Sequence, residues 1–170
     1  DAPRPGMSVV VRRAAADDLD PVRFVGLATW PATYGAIKGA RYVTRGLDEY
    51  WSAEAIAGSI DRGDIDVAES DAGVVGMVEV ASVGDDLVMW KLYVVPAAQH
   101  TGICPRLIAS AVARAEARGC ALFTEYEPEN VAAGEFYARQ GFEPSDPPWP
   151  DAGGTWMRWA RVSGPVSTQG

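Results

Sequence analysis

Leu92-Tyr93-Val94-Val95-Pro96-Ala97-Ala98-Gln99-His100-Thr101-Gly102-Ile103-Cys104-Pro105-Arg106-Leu107 is the stretch that decides how the rest of the chain is read. It begins as a buried strand, passes through a short glycine-containing loop and enters a helix. Leu107, Ile108, Ala111, Val112 and Ala115 continue as an apolar stripe at helical spacing, and Gly119 stops it. A loop feeding a helix start gathers unpaired backbone N–H groups at the positive end of the helix dipole. Such a cradle suits an anion, phosphate above all. One glycine in such a connection is common, so this stretch alone does not choose a function.

A second stretch narrows the reading. Asn130-Val131-Ala132-Ala133-Gly134-Glu135-Phe136-Tyr137-Ala138-Arg139-Gln140-Gly141-Phe142 reads as a short helix ending at Gly141. Asn130, Ala133 or Gly134, and Tyr137 share one of its faces. Together the two stretches resemble the GCN5-related N-acetyltransferases (GNAT). Their acyl-CoA loop is written Gln/Arg-x-x-Gly-x-Gly/Ala and their later helix Asn-x-x-Ala-x-x-Phe/Leu-Tyr-x-x-x-Gly-Phe. The resemblance runs from about Val9 to Val162. It implies an α/β GNAT fold: a central mixed, twisted sheet of about six or seven strands with one splayed pair, flanked by about four helices.

Length and composition agree with one domain over 9–162, between a loose arm over 1–8 and a tail over 163–170. Met7 is a candidate original start. Charged residues make up 22% and hydrophobic ones 48% of 170 residues, an ordinary globular balance. No apolar run approaches the ~18 residues that cross a membrane, and no leader pattern precedes the first strand. The expected location is therefore the cytoplasm. A net charge of −8 without a dense Lys/Arg cluster argues against nucleic acid and favours cationic substrates. Cys104 and Cys120 are too few for a disulfide framework, and with His100 as the single histidine no metal-ligand spacing exists, so no metal is expected.

Along the chain, Val9–Arg13 reads as the first strand. Asp17 or Asp18 can cap a helix to about Ala28 that buries Val22, Val25 and Leu27, and Trp30-Pro31 is expected to break it. Ser52 is the expected cap of a helix ending at Gly63. A hairpin follows over Ile65–Ser70 and Val74–Val83, then a strand over Leu87–Val95. Strict alternation there puts Val88, Trp90, Leu92 and Val94 on one face. A strand over Ala121–Tyr126, a Pro/Gly loop over Pro144–Gly154 and a last strand over Thr155–Val162 complete the order.

The resemblance carries specific roles. Gln99, His100, Thr101, Gly102, Ile103 and Cys104 would hold the pyrophosphate of acetyl-CoA, the cosubstrate. Leu92, Tyr93 and Val94 would pair their main chain with its amide-rich arm as an added strand. Asn130 would bond that arm, or cap its own helix. Cys104 stands at the Gly/Ala position of the motif and Pro105 has no N–H to donate, which departs from the pattern. A helix N-terminus would favour the Cys104 thiolate.

Acetyl transfer to an amine needs a base for the amine, a donor for the developing oxyanion and an acid for the leaving thiolate. Tyr137 matches the family tyrosine near the sulfur and is assigned as acid, with packing as its alternative. Glu125, near the end of the fifth strand, matches a glutamate used as base in some members. Glu79, a carboxylate in an apolar strand, is the second candidate. Trp30 and Tyr34 line the acceptor side, or simply pack. The expected function is N-acetylation of a primary amine (a small molecule, or a peptide N-terminus or lysine) by direct attack in a ternary complex. The alternative is a silent acyl-CoA-binding domain. A nucleotide-hydrolysing P-loop fails because no Gly-Lys-Ser/Thr follows the loop. A homodimer fits the family, with Trp149, Trp156 and Trp159 as its apolar surface.

Overall fold

A computed structural model describes residues 8–160. Most of the arm, the tail and the last residues of the expected final strand lie outside this range. The elements run β1 (Val10–Arg13), α1 (Leu19–Lys38), α2 (Ala40–Tyr50), α3 (Ala53–Asp61), β2 (Ile65–Ser70), β3 (Gly73–Val83) and β4 (Asp86–Val94). There follow α4 (Ile103–Arg118), β5 (Leu122–Tyr126), α5 (Val131–Gln140), β6 (Phe142–Ser145) and β7 (Thr155–Trp159). Among the described residues the sheet has seven strands, in the order β1-β2-β3-β4-β5-β7-β6. Among these strands β4–β5 is the parallel pair, as a strand–helix–strand crossover through α4 requires.

Two apolar layers cover the sheet. On one face the stripe of α4 (Leu107, Ile108, Ala111, Ala115) packs against Val78, Val80, Leu87 and Met89. On the other, Val22, Val25, Trp30, Ile56 and Ile60 of α1 and α3, with Trp51 from the connection between α2 and α3, cover Ile65, Val67 and Met77. The half of that second face built from Val88, Phe123 and Trp156 has no helix over it and is closed by Trp149 and Ala152 of the late loop.

Five expectations change. Helix α1 does not break at Trp30-Pro31 but runs through to Lys38. An interior proline costs about 3 kcal/mol. The offset is tertiary: Trp30 is buried against Gly46 of α2, where an added Cβ would sit 2.0 Å from its ring. Gly26 of α1 receives Trp51 in the same way, at 2.2 Å. Leu27 is 48% exposed rather than buried, and Phe24 is 62% exposed. Asp18 does not cap forward. Its carboxylate accepts from the Ala15 N–H at 2.7 Å and from the Arg12 guanidinium, tying β1 to the start of α1.

Helix α2 and strand β6 have no counterpart in the sequence reading. The three tryptophans expected at the surface pack inward instead. Trp156 is buried, Trp149 lies edge-on to it at 5.2 Å, and Trp159 packs against the α4-side core.

The fifth change positions the site. Glu79 of β3 pairs with Lys91 and Val80 with Met89, so Trp90 is an extra residue in β4. A bulge of this kind reverses alternation. Leu87, Met89, Leu92 and Val94 face the α4 side, whereas Tyr93 joins the α1-side core and Lys91 packs over its Trp51. Val88 and Leu92, expected on one face, are therefore on opposite ones.

Candidate active site

Strand β5 pairs with β4 only at Leu87–Leu122, Val88–Phe123 and Met89–Thr124. Past that point Glu125 and Tyr126 pair with β7 alone, and β4 from Trp90 to Val94 has no β5 partner. This is the splayed pair. It opens a groove of about 680 Å³ that runs from the α4 N-terminus between the strands.

Leu92, Tyr93, Val94, Gln99, His100, Gly102, Ile103, Cys104, Asn130 and Tyr137 all line it, so nearly the whole expected cofactor set meets in one place. Thr101 does not line it. Its hydroxyl turns back to donate to the Ala98 carbonyl at 2.5 Å. The Gln99 amide donates to the Val94 carbonyl at 3.0 Å, fastening the loop to the end of β4.

Several features fit a diphosphate with an amide-bearing arm. Gly102 is left-handed at φ +82° and has no side-chain capping bond over the first N–H groups of α4. An added Cβ there would meet nothing within 4 Å, so the approach to the helix start is open. Pro105 withholds one donor. His100, also left-handed at φ 61° and exposed, turns the loop. Asn130 accepts from the Ala133 N–H at 3.3 Å and is the N-cap of α5.

The Cys104 thiol differs from expectation: burial raises its pKa, which opposes the favour of the helix end. Tyr137 lies beside Thr124 and Cys104. Burial, first of all, pushes its hydroxyl up to about 12, so it keeps its proton at neutral pH.

Beyond the splay lies a second chamber of about 540 Å³, sharing Tyr34, Trp90, Tyr93, Glu125 and Tyr126 with the groove. Trp30 forms its aromatic centre, tilted on Tyr34 at 4.8 Å and stacked on Tyr42 at 5.9 Å. Tyr34 and Tyr93 share a hydrogen bond of 3.3 Å. Glu125 reaches both cavities, and burial followed by the charge of Glu127 raises its pKa. Glu127 is held by Lys38 at 3.1 Å and by the Tyr42 hydroxyl at 3.2 Å. Glu79 is only 6% exposed and accepts from Lys91 at 3.0 Å. Sequence reasoning missed Tyr42, Tyr50 and Trp90 here, because an unforeseen helix and a bulge bring them in.

A loop-to-helix anion cradle, an open strand edge and a tyrosine that keeps its proton are brought together in one groove. The model of the acetyltransferase (GNAT) domain matches residues 61–144. A spermidine N(1)-acetyltransferase of Thermoplasma acidophilum is 25% identical, with 82% of this chain and 91% of that protein covered. Among solved structures, PaiA N-acetyltransferase of T. acidophilum in complex with coenzyme A superposes with a TM-score of 0.79 at 23% identity, covering 89% and 98% of the two chains. N-acetylglutamate synthase of Neisseria gonorrhoeae, complexed with coenzyme A and N-acetyl-glutamate, gives 0.66 at 20% identity over 91% of this chain and 36% of that one. Residues 61–144 thus resemble the acetyltransferase (GNAT) domain, and the fold around them is the one these solved acetyltransferases have.

Proposed function

We propose that the chain acetylates a small primary amine with acetyl-CoA, by direct attack while both substrates are bound. The observation that carries this reading is the meeting of groove and chamber at the end of the β4–β5 ladder, with Tyr137 lining the groove and Glu125 lining both. Acetyl-CoA supplies an activated thioester. The first N–H groups of α4 and the Gly102 backbone would hold its diphosphate. The free edge of β4 would bond its amides as a further strand would. Asn130 would add a side-chain contact where its cap bond leaves capacity.

Glu125 would take the amine proton, its raised pKa bringing it nearer to the working pH. Tyr137 would give its proton to the departing thiolate. A reducing cytoplasm would keep Cys104 and Cys120 as the free thiols they are.

The Pro105 departure supports a second reading, a domain that binds acyl-CoA without turnover. Calorimetry with acetyl-CoA and thiol release across a panel of amines separate the two. Binding with thiol release for some amine is expected. Binding without release across the panel would favour the silent domain, and no binding at all would sink both.

A further inference from the structure

With Glu125 as base and Tyr137 as acid, the oxygen that turns negative as the amine adds to the thioester still lacks a donor. A pair of hydroxyls near the splay has one proton to spare. Tyr34 of α1 and Tyr93 of β4 share a hydrogen bond, their oxygens 3.3 Å apart. Two hydroxyls carry two protons, and the bond between them uses one. Among the described residues no other group accepts from either of them.

The surroundings decide which proton is spare. Tyr93 belongs to the α1-side core, edge-on to Trp51 at 5.4 Å, and its hydroxyl is buried. The Trp30 indole N–H is also buried and has no acceptor of good geometry among the described residues. An indole nitrogen can only donate, and the oxygen it bears on is that of Tyr93. With a donor on that side, Tyr93 gives its own proton to Tyr34. The spare proton is therefore the one on Tyr34, which is half-buried and lines both the groove and the chamber. Burial above all, with the charges of Glu127 and Glu125, raises the Tyr34 pKa, so the proton is present at neutral pH.

The structure assigns Tyr34 as the catalytic donor to the thioester carbonyl oxygen. This role rests on the acetyl-transfer reading of the groove and adds a third group to it. Where groove and chamber meet, the carbonyl is the acceptor at hand, because the amine nitrogen spends its lone pair on the attack. As nitrogen bonds to the carbonyl carbon, the C=O π pair moves to oxygen, where the Tyr34 O–H donates a hydrogen bond and keeps its proton. Glu125 takes the proton from nitrogen. The C=O bond then re-forms, the C–S bond breaks with its pair on sulfur, and Tyr137 protonates the thiolate. The bond that Tyr34 accepts from Tyr93 polarises its hydroxyl and strengthens the donation.

Infrared difference spectra of acetyl-CoA carrying 13C at the thioester carbonyl, bound without amine, test the contact. A hydrogen bond to the oxygen lowers the C=O frequency. The band should lie lower in the native protein than in Tyr34→Phe, and should stay low in Tyr137→Phe. Thiol release with the best amine of a panel should fall about a hundredfold in kcat in Tyr34→Phe, at near-native KM. The phenylalanine ring keeps the packing against Trp30 and Tyr42, so the fold should hold.

Equal bands in the native protein and Tyr34→Phe would overturn the assignment. So would a loss confined to the KM of the amine, which would put the hydroxyl on the acceptor instead. A native band no lower than that of the thioester in an apolar solvent would overturn it with no variant needed. The spectra require no turnover, so they keep the two readings apart. A band that depends on Tyr34, with no thiol release from any amine, would defeat acetyl transfer and leave the contact standing. Thiol release with an unshifted band would do the reverse.

Discussion

Gly154 stands so close to Glu125 that a Cβ built on it would lie 2.1 Å from the carboxylate Oε1. The late loop thus presses its backbone against the proposed base. It is held there by Trp149 and Trp156, whose indole N–H donates to the Gly153 carbonyl at 2.9 Å. The loop that closes the third core patch therefore also limits where Glu125 can point.

Gly154→Ala should accordingly move Glu125 and strain a backbone held at φ +95°. We expect a stability loss of about 1–2 kcal/mol and a fall in kcat of roughly tenfold or more. Acetyl-CoA affinity by calorimetry should stay near the native value. Native kcat in the alanine variant would show that the contact has no bearing on the base.

Glu125→Gln tests the base itself. Because burial and Glu127 raise the Glu125 pKa, the carboxylate is protonated at a pH where an ordinary glutamate is still ionised. Activity should therefore fall on acidification sooner than for an unperturbed carboxylate, and recover as pH rises. In the glutamine variant kcat/KM should drop about a hundredfold and this acid limb should vanish. A pH profile keeping the native limb would remove Glu125 from the role.

Tyr137→Phe removes a hydroxyl that burial keeps protonated up to about 12. The expected result is a fall in kcat of about a hundredfold with little change in acetyl-CoA binding. The ring contacts to Phe136 and Phe142 survive the substitution, so the fold should hold. Equal losses in turnover and binding would leave Tyr137 as a packing residue.

Asp66→Asn probes stability far from the chemistry. Asp66 is 5% exposed and bonds Ser110, Arg114 and Arg13. Burial alone would raise its pKa, but these partners overcome it and hold the group below the usual carboxylate range. Its contribution is thus complete above the unfolded-state pKa and is lost as pH falls through the lower folded value. Denaturant unfolding at neutral pH should show a loss of about 3 kcal/mol, since Arg114, its side chain 18% exposed, is left largely buried without its anion. The gap to the native protein should narrow in acid. A variant as stable as the native chain would show the network to be dispensable.

Much of the site was legible because it rests on local rules. Gly102 and Gly141 at helix ends, Asn130 as an N-cap, and the strand leading into α4 follow from backbone chemistry within a few residues. The acceptor side was not. The role of Trp30 depends on Gly46 and that of Trp51 on Gly26, glycines that no helical period marks as contact points.

What the sequence determined by itself is the order of elements other than α2 and β6, together with the loop-to-helix cradle, since capping, turn chemistry and apolar periodicity act over one or two turns. Only tertiary structure decided that α1 survives Pro31, that Trp90 bulges and reverses the faces of β4, and that Tyr34 of α1 meets Tyr93 of β4. Those outcomes depend on packing and pairing between segments distant in sequence, and such contacts outweigh the local preferences from which a sequence is read.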